Sequence, residues 1–314
     1  MNIALACDNN FAPFAAEVIA SVLRNDKNVS FFLLSDDLDK NNSDKLSEMT
    51  RQMGGNLKIV YVDKGLFKDF PMPDAGEGVS HIKISTYFRL FLPLLLPSTV
   101  EKLIYLDCDI VVRHSLKPLF DEDISDYYLG AVYHTNDAPI NNGSFVRLNI
   151  PQSQGYFNAG VLLINLEKWR RDGIYEKCMA FLHTDADKIV NHDQDVLNVV
   201  CGGKTKLLPC TWNCTNGFFY QFFMSKDDRI ARIYKENIDE TISDPAVVHF
   251  AYRPKPWEMI CVHPYRTDFI KCLKMTPYKK VNYKWPTLFE LVEYFIKPQF
   301  LGYGRFRRGL HKNS

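Results

Sequence analysis

The chain has 314 residues, of which 46% are apolar and 24% charged, and its formal net charge is +1. These proportions are typical of globular proteins and exclude a disordered, collagen-like or coiled-coil chain. The length is about twice the roughly 150 residues of a common domain, which indicates one large domain or a domain with an appendage. The best candidate for a membrane span, residues 90–97, is interrupted by Pro93 and is much shorter than the roughly 20 residues required, so we expect no membrane-spanning helix.

The amino terminus enters an apolar strand-like run without a basic segment or a cleavage site. We therefore expect no secretory signal and a cytoplasmic location. The eight cysteines lie mostly in apolar runs, and a chain of this size does not require disulfides, so we expect them to be reduced. Cys210 and Cys214 have the spacing of half a zinc site, but no second Cys/His pair accompanies them, and a structural role is favoured.

Short apolar runs alternate with segments of helical spacing along the chain. The predicted strands are residues 3–7, 29–36, 58–62, 102–106, 128–133, 161–166 and 246–252. The predicted helices are residues 14–24, 40–53 and 82–92, with further helices after the strand 161–166 and after a polar cluster at 192–195, where Asp193 would suit an N-cap. This alternation predicts an α/β fold with a mainly parallel central sheet flanked by helices.

Ligands of such sheets bind beyond the carboxyl ends of the strands. Polar residues follow the first strand at 8–10 and the fourth at 107–109, whereas glycine-rich dinucleotide and phosphate-binding motifs are absent. Asp107 and Asp109 close a buried strand, and two adjacent carboxylates suit Mg²⁺ or Mn²⁺ bound to a diphosphate. An acidic turn facing water is the structural alternative, and a haloacid-dehalogenase-like phosphohydrolase using Asp107 and Asp109 is the chemical one.

Six segments in fixed order carry a resemblance to a known family. They are Asp8 with Asn10, HIKISTYFRL at 81–90, LIYLDCDIVV at 103–112, YFNAGVLLINLEKWR at 156–170, HDQDVLN at 192–198 and VVHFAYRPKPW at 247–257. In order and separation they resemble the retaining glycosyltransferases of family 8, in particular the bacterial lipooligosaccharide α-galactosyltransferases. The resemblance spans about residues 1–270 and implies a GT-A fold that transfers a hexose, galactose or glucose, from a UDP-sugar to an oligosaccharide or glycolipid acceptor in surface glycan synthesis.

The resemblance also implies roles for individual residues. Asp107, Asp109 and His249 match metal ligands, an oxygen and imidazole set that suits Mn²⁺, with Mg²⁺ as a second choice. The nucleotide-sugar positions are Ala6, Asp8, Asn10, Arg89, Asp107, Asn158, Ala159, Asp193, Gln194 and Lys255, with Lys255 on the diphosphate. Gln194 and Asp193 match the catalytic positions, and His81, His134 and Tyr252 match the acceptor side.

Gln194 bears on the mechanism, because retention by double displacement requires a carboxylate at the reacting carbon. An amide at that place favours front-face attack, in which the leaving phosphate takes the proton of the acceptor hydroxyl, with Asp193 as the alternative nucleophile. Tyr133-His134 replaces an acidic residue of the galactosyltransferases, and Ala251-Tyr252 replaces a Cys-Gly pair. Donor hexose and acceptor therefore stay open.

Residues 271–314 carry ten Lys and Arg against two Glu, a net charge of +8, which leaves −7 on residues 1–270. Basic groups and aromatic rings alternate there, a combination that attaches proteins to anionic membrane surfaces. We predict a catalytic domain at 1–274 and a tail at 275–314 that associates peripherally with the inner face of the membrane. Nucleic-acid binding is not expected, because the acidic body would repel a polyanion. A membrane-surface protein without transferase activity is the remaining alternative.

Overall fold

The structure is a computed structural model that describes residues 1–67, 84–134, 143–218, 234, 238–279, 287–288 and 292. Its strands are β1 (Asn2–Ala6), β2 (Ser30–Ser35), β3 (Asn56–Tyr61), β4 (Lys102–Leu106), β5 (Ile110–Val112), β6 (Leu129–Tyr133), β7 (Phe157–Asn165), β8 (Thr205–Leu207), β9 (Cys214–Thr215) and β10 (Val247–His249). Its α-helices are α1 (Ala12–Asn25), α2 (Lys40–Gln52), α3 (Leu92–Leu95), α4 (Lys117–Asp121), α5 (Ser144–Arg147), α6 (Leu166–Arg171), α7 (Ile174–Thr184), α8 (His192–Cys201), α9 (Ile238–Ser243) and α10 (Arg266–Lys274). Short 3-10 helices include Asn9–Phe11, Ile84–Phe91 and Cys210–Asn213.

Seven strands form the main sheet in the order β3-β2-β1-β4-β7-β6-β8. All are parallel to their neighbours except β7, which is antiparallel to β4 and β6. Successive side chains of β4 enter different cores: Ile104 and Leu106 pack on one face, and Leu103 and Tyr105 on the other. Because both faces are covered at the centre of the sheet, β1, β2 and β4 are largely apolar, whereas β3 at the edge carries polar residues and is partly exposed. The predicted α/β fold with a mainly parallel sheet is confirmed.

A second, three-stranded sheet has the order β5-β10-β9 and was not predicted. The chain passes from the first sheet to this one at Asp107–Asp109, between β4 and β5. β10 pairs antiparallel with β5, with His249 opposite Ile110, and the Phe250 N–H donates to the Asp109 carbonyl over 2.9 Å. This register places His249 beside the two aspartates.

One predicted helix differs from the structure. Residues 84–91 form a 3-10 helix, and α3 follows it directly, where a single α-helix over 82–92 was expected. Pro93 has no N–H to bond to the Arg89 carbonyl and its ring crowds that carbonyl, so an α-helix cannot continue through this point. Arg89 lies on the 3-10 helix, with its side chain buried.

The carboxyl-terminal prediction falls mostly outside the described residues. α10 ends at Lys274, next to the predicted boundary, and the hydroxyl of Tyr278 donates to Asn42 Oδ1 on α2 over 2.7 Å. Of the basic residues of the tail, Lys279 is described, while Lys280, Lys284, Arg305, Arg307 and Arg308 are not. The boundary at 274/275 therefore stays a prediction.

No helix in the described ranges has the length and apolarity needed to cross a bilayer. The eight cysteines are free and buried.

Candidate functional site

A cavity of about 720 Å³ opens at the carboxyl ends of β1 and β4, where the topology places a ligand. Most of the residues predicted for the site line it: Ala6, Asp8, Asn10, Arg89, Asp107, Asp109, His134, Asn158, Ala159, Asp193, Gln194 and Tyr252. His249 and Lys255 lie behind this wall, in contact with Asp109. His81 lies outside the described residues.

Asp107, Asp109 and His249 each offer one ligand atom to a common point, and these three atoms lie within 4.8 Å of one another. Nε2 of His249 is 3.1 Å from Asp109 Oδ1 and 3.9 Å from Asp107 Oδ2. Two carboxylates and an imidazole at this spacing suit a divalent cation such as Mn²⁺.

The remaining oxygen of each aspartate is held by a basic side chain. Arg89 Nη2 donates to Asp107 Oδ1 over 2.7 Å, and Lys255 Nζ donates to Asp109 Oδ2 over 2.6 Å. Burial by itself raises the pKa of Asp109, but the nearby Lys255 and His249 have the larger combined effect and hold the pKa well below its usual value, so the carboxylate stays ionised. Each carboxylate is thereby fixed with its free oxygen toward the cation site.

The resemblance implies that Lys255 contacts the diphosphate of the donor. Its ammonium also donates to the carbonyls of Phe250 and Ala251, over 2.7 and 3.1 Å, and Lys255 directly follows the cis Arg253–Pro254 bond. In this structure it binds Asp109 rather than facing the cavity.

Gly160 on β7 makes room for this cluster. A Cβ at this position would lie 2.2 Å from Cε1 of His249 and 2.8 Å from Asp107 Oδ2, distances that real Cβ atoms do not show. The ligands therefore pack directly on the backbone of β7, and the site is shaped to hold them together. The chemistry of the donors and this close packing both fit a divalent metal.

Arg89 connects the cluster of Asp107, Asp109 and His249 with the first turn of α8. Its Nη1 donates to the Ala159 carbonyl over 2.6 Å, and its Nε lies 2.8 Å from Asp193 Oδ2. Burial lowers the pKa of Arg89, but Asp107 and Asp193 raise it overall, so the guanidinium remains charged. Burial raises the pKa of Asp193 to about 7 against the opposing effect of Arg89. The N-cap of α8 is Asn191, so the structural role expected for Asp193 is wrong: it lies in the first turn and pairs with Arg89.

Both ends of the Gln194 amide are engaged by the protein. Its Oε1 accepts hydrogen bonds from the Ala159 N–H over 3.0 Å and from Asn158 Nδ2 over 3.2 Å. Its Nε2 donates to the hydroxyl of Tyr156 over 3.2 Å, and that hydroxyl donates to Asp195 Oδ1. The amide oxygen, with two donors on its two lone pairs, is poorly suited to act as a nucleophile.

His134 and Tyr252 form a pair on the cavity wall. The Tyr252 hydroxyl lies 3.2 Å from His134 Nε2, and the rings are edge to face. Burial, with a smaller effect of His249, lowers the pKa of His134 to about 4, so its imidazole is neutral at pH 7. This wall therefore offers a neutral aromatic surface to the cavity.

The residues predicted to bind the nucleotide follow β1. Asp8 is buried and its carboxylate accepts from the Phe11 N–H over 3.0 Å, which caps the 3-10 helix Asn9–Phe11. Asn9 instead binds Asp37 and Asp39 on the neighbouring loop. Asp8 and Asn10, on either side of Asn9 in the chain, line the cavity.

Sequence reasoning missed Tyr156, Gly160, Asp195 and Asn213. Tyr156, Gly160 and Asp195 lie inside quoted motifs, but only the network of hydrogen bonds reveals what they contact. Asn213 lies outside every motif and has no local signal, because its partner His249 is 36 residues away.

Comparison with known proteins agrees with this geometry. The family profile described as "Glycosyl transferase family 8" matches residues 2–261. The chain therefore belongs to glycosyl transferase family 8 and is a glycosyltransferase whose sheet edge carries an Asp-Asp-His cluster of the kind that binds a divalent metal.

Two curated relatives and one solved structure illustrate the similarity. General stress protein A of Bacillus subtilis (strain 168) is 28% identical over 92% of this chain and 96% of its own length. A lipopolysaccharide 1,2-glucosyltransferase of Escherichia coli is 28% identical over 90% of this chain and 80% of its own. The crystal structure of the galactosyltransferase LgtC with donor and acceptor sugar analogues is 30% identical, with a TM-score of 0.77 over 91% of this chain and 99% of that one. The predicted family and GT-A fold are confirmed.

Proposed function

We propose that this protein transfers a hexose, galactose or glucose, from a UDP-sugar to a saccharide acceptor, with Mn²⁺ and with retention of the anomeric configuration. The convergence of Asp107, Asp109 and His249 beneath a cavity that Gln194 also lines carries this proposal. The similarity to a lipopolysaccharide glucosyltransferase and to the galactosyltransferase LgtC supports a hexose donor.

Asp107, Asp109 and His249 would hold the metal ion, which supplies positive charge next to the diphosphate of the donor. Arg89 and Lys255 keep the two carboxylates oriented. Ala6, Asp8 and Asn10, at the other end of the cavity, would bind the uridine. Asn158, Ala159 and Asp193 lie on the side of Gln194, where the sugar would be placed.

The hydrogen bonds of Gln194 support front-face attack. Because its oxygen already accepts two hydrogen bonds, Gln194 would orient the sugar rather than bond to it. The acceptor hydroxyl would attack on the face from which UDP departs, and the leaving phosphate would take its proton. Asp193 is the alternative nucleophile, but its contact with Arg89 competes with that role.

The decisive experiment is calorimetric titration of the protein with UDP-Gal, UDP-Glc, UDP-GlcNAc and UDP, each with and without Mn²⁺ and with Mg²⁺ as the second metal. We expect tight UDP binding only with metal, and its loss in Asp107→Asn. Absence of metal-dependent UDP binding would overturn the proposal. Hydrolysis of p-nitrophenyl phosphate that disappears in Asp107→Asn would favour the phosphohydrolase alternative instead.

Turnover and product geometry test the mechanism. An α-linked product is expected from an α-linked donor, and Gln194→Ala should slow turnover far more than it weakens UDP binding. A β-linked product in the NMR spectrum would contradict retention.

The acceptor is proposed to be an oligosaccharide or glycolipid of surface glycan synthesis, and the similarity to a lipopolysaccharide 1,2-glucosyltransferase of Escherichia coli supports this. A cytoplasmic enzyme held at the inner leaflet by its basic tail, residues 275–314, would be concentrated near a lipid-linked acceptor. Each basic residue adds about 1 kcal/mol of attraction to an anionic surface.

Truncation after residue 274 tests this role of the tail. We expect turnover on a soluble disaccharide to persist while sedimentation with anionic vesicles is lost, and the combined change of Arg305, Arg307 and Arg308 to Glu should have the same effect. Vesicle binding that ignores lipid charge would contradict membrane attachment, and turnover lost on truncation would place the tail in the catalytic domain. Vesicle binding without any transfer would support the membrane-surface alternative.

A further inference from the structure

Asn213 lies between the metal cluster and the catalytic amide. It ends the 3-10 helix Cys210–Asn213 and precedes β9, which pairs in parallel with β10 so that His249 faces Thr215. This register places the fully buried Asn213 side chain next to the imidazole of His249. Its Oδ1 is 2.9 Å from His249 Nδ1, and its Nδ2 is 2.8 Å from Asn158 Oδ1.

The orientation of the Asn213 side-chain amide follows from backbone N–H groups, which can only donate a hydrogen bond, so the atom that each of them faces must be an acceptor. The N–H of Gly160 donates to Asn158 Oδ1 over 3.0 Å, so this atom of Asn158 must be the oxygen. The Ala159 N–H donates to Gln194 Oε1, and Asn158 Nδ2 points to the same oxygen, which fixes Asn158 independently from its other end. The atom of Asn213 that faces Asn158 Oδ1 must therefore be its NH₂ group.

It follows that Asn213 presents its oxygen to His249. An amide oxygen is only an acceptor, so Nδ1 of His249 must carry a proton and donate it. Nε2, the nitrogen directed at Asp107 and Asp109, is then the one that can bind a cation. In metal proteins a hydrogen bond to the second ring nitrogen commonly fixes the tautomer of a ligating histidine.

We propose that Asn213 is a positioning residue with two linked functions: it fixes His249 as the Nδ1–H tautomer for metal binding, and through Asn158 it holds the amide of Gln194. The inference rests on the proposed function, since it concerns the same metal and the same amide. A change at Asn213 should therefore disturb metal affinity and turnover separately, according to which of its two hydrogen bonds is lost.

Long-range ¹H–¹⁵N spectra of metal-free protein labelled at histidine test the tautomer directly. The His249 signals are identified by their loss in His249→Ala. We expect Nδ1 to carry a proton in every charge state observed. An Nε2–H tautomer with bare Nδ1 in the unsubstituted protein would overturn the proposal, and this measurement requires neither nucleotide nor metal, so it is independent of the proposed donor.

Two variants separate the functions. Asn213→Ala removes both hydrogen bonds, and we expect Mn²⁺ affinity, measured by calorimetry and by the electron paramagnetic resonance of free Mn²⁺, to fall about 10- to 100-fold. Asn213→Asp keeps the acceptor for Nδ1–H but loses the donor to Asn158, so it should retain most of the metal affinity and lower turnover. The matched control is Asn165→Ala, which removes two side-chain hydrogen bonds at the start of α6, away from the cavity.

The control variant should bind Mn²⁺ like the unsubstituted protein. Folded Asn213→Ala with unchanged Mn²⁺ affinity would overturn the proposal, as would Asn213→Asp with affinity reduced as far as in Asn213→Ala. If Asn213→Ala does not fold, the tautomer of the unsubstituted protein and the Asn213→Asp variant decide the matter. A protein that shows the Nδ1–H tautomer but binds no UDP would contradict the proposed donor and leave the position of His249 as inferred.

Discussion

Replacing Gly160 by alanine tests whether the proposed metal ligands depend on close contact with β7. The added Cβ would lie 2.2 Å from His249 Cε1, whereas carbon atoms in contact prefer about 3.5 to 4.0 Å. The ring must then move by roughly 1.3 Å or more, or β7 must shift. Metal–ligand distances tolerate only about 0.2 Å, so either movement spoils the cluster.

We expect Gly160→Ala to lower Mn²⁺-dependent UDP affinity at least about 10-fold, which is about 1.4 kcal/mol. Overpacking should also cost about 1 to 3 kcal/mol of folding stability. Calorimetry with and without Mn²⁺ and urea denaturation measure the two effects.

Two glycines of the same protein provide matched controls. A Cβ at Gly203 meets no atom within 4 Å. The three atoms nearest to a Cβ at Gly130, on β6 of the same sheet, all belong to the side chain of Leu208, at 3.1 to 3.3 Å. Both alanine variants should bind UDP and Mn²⁺ normally. A folded Gly160→Ala with unchanged Mn²⁺ dependence would refute the reasoning, because it would show that His249 does not need its contact with β7.

Arg89→Lys should lose several of the buried contacts of Arg89, because one ammonium cannot reach both Asp107 and Asp193. We expect a stability loss of about 1 to 3 kcal/mol per unsatisfied group, together with weaker UDP binding. The control Arg170→Lys loses hydrogen bonds to carbonyls far from the cavity and should affect stability alone. Equal UDP affinity in the two variants would contradict the prediction. Glu17 of α1 is fully buried, neither of its oxygens has a hydrogen-bond partner among the described residues, and burial raises its pKa well above the usual value. At a pH above roughly 4.5 the Glu17 carboxyl loses its proton in the unfolded chain but keeps it in the folded protein, so the free energy of unfolding falls by up to about 1.4 kcal/mol per pH unit as the pH rises. Glu17→Gln should abolish this dependence in urea titrations between pH 5 and 8. Parallel pH profiles of the two proteins would contradict the prediction.

Local patterns in the sequence account for the α/β class and for much of the site. Apolar runs predicted β1, β2, β3 and β4 within two residues. For β1, β2 and β4 the reason is that a strand buried on both faces must be largely apolar. The parallel order then implied that the polar residues after β1 and β4 meet at one edge, and Asp8 and Asp107 do line one cavity. The prediction from local pattern was weaker at 84–95, where a proline divides the helix, and at the two- and three-residue strands β5, β8 and β9, which are too short to show periodicity.

By itself the sequence determined the class of fold, the family and the edge of the sheet where the cavity opens, because these depend on residues close together in the chain. Only the tertiary structure decided how distant residues are oriented there. The antiparallel register of β10 on β5 carries His249 to the aspartates, Lys255 turns to Asp109 instead of the cavity, and Asn213 reaches His249 from a segment without any motif. The physical reason is that hydrogen bonds are directional and short, so which donor meets which acceptor is fixed by strand register and side-chain packing, and neither is encoded in the local pattern of apolar and polar residues.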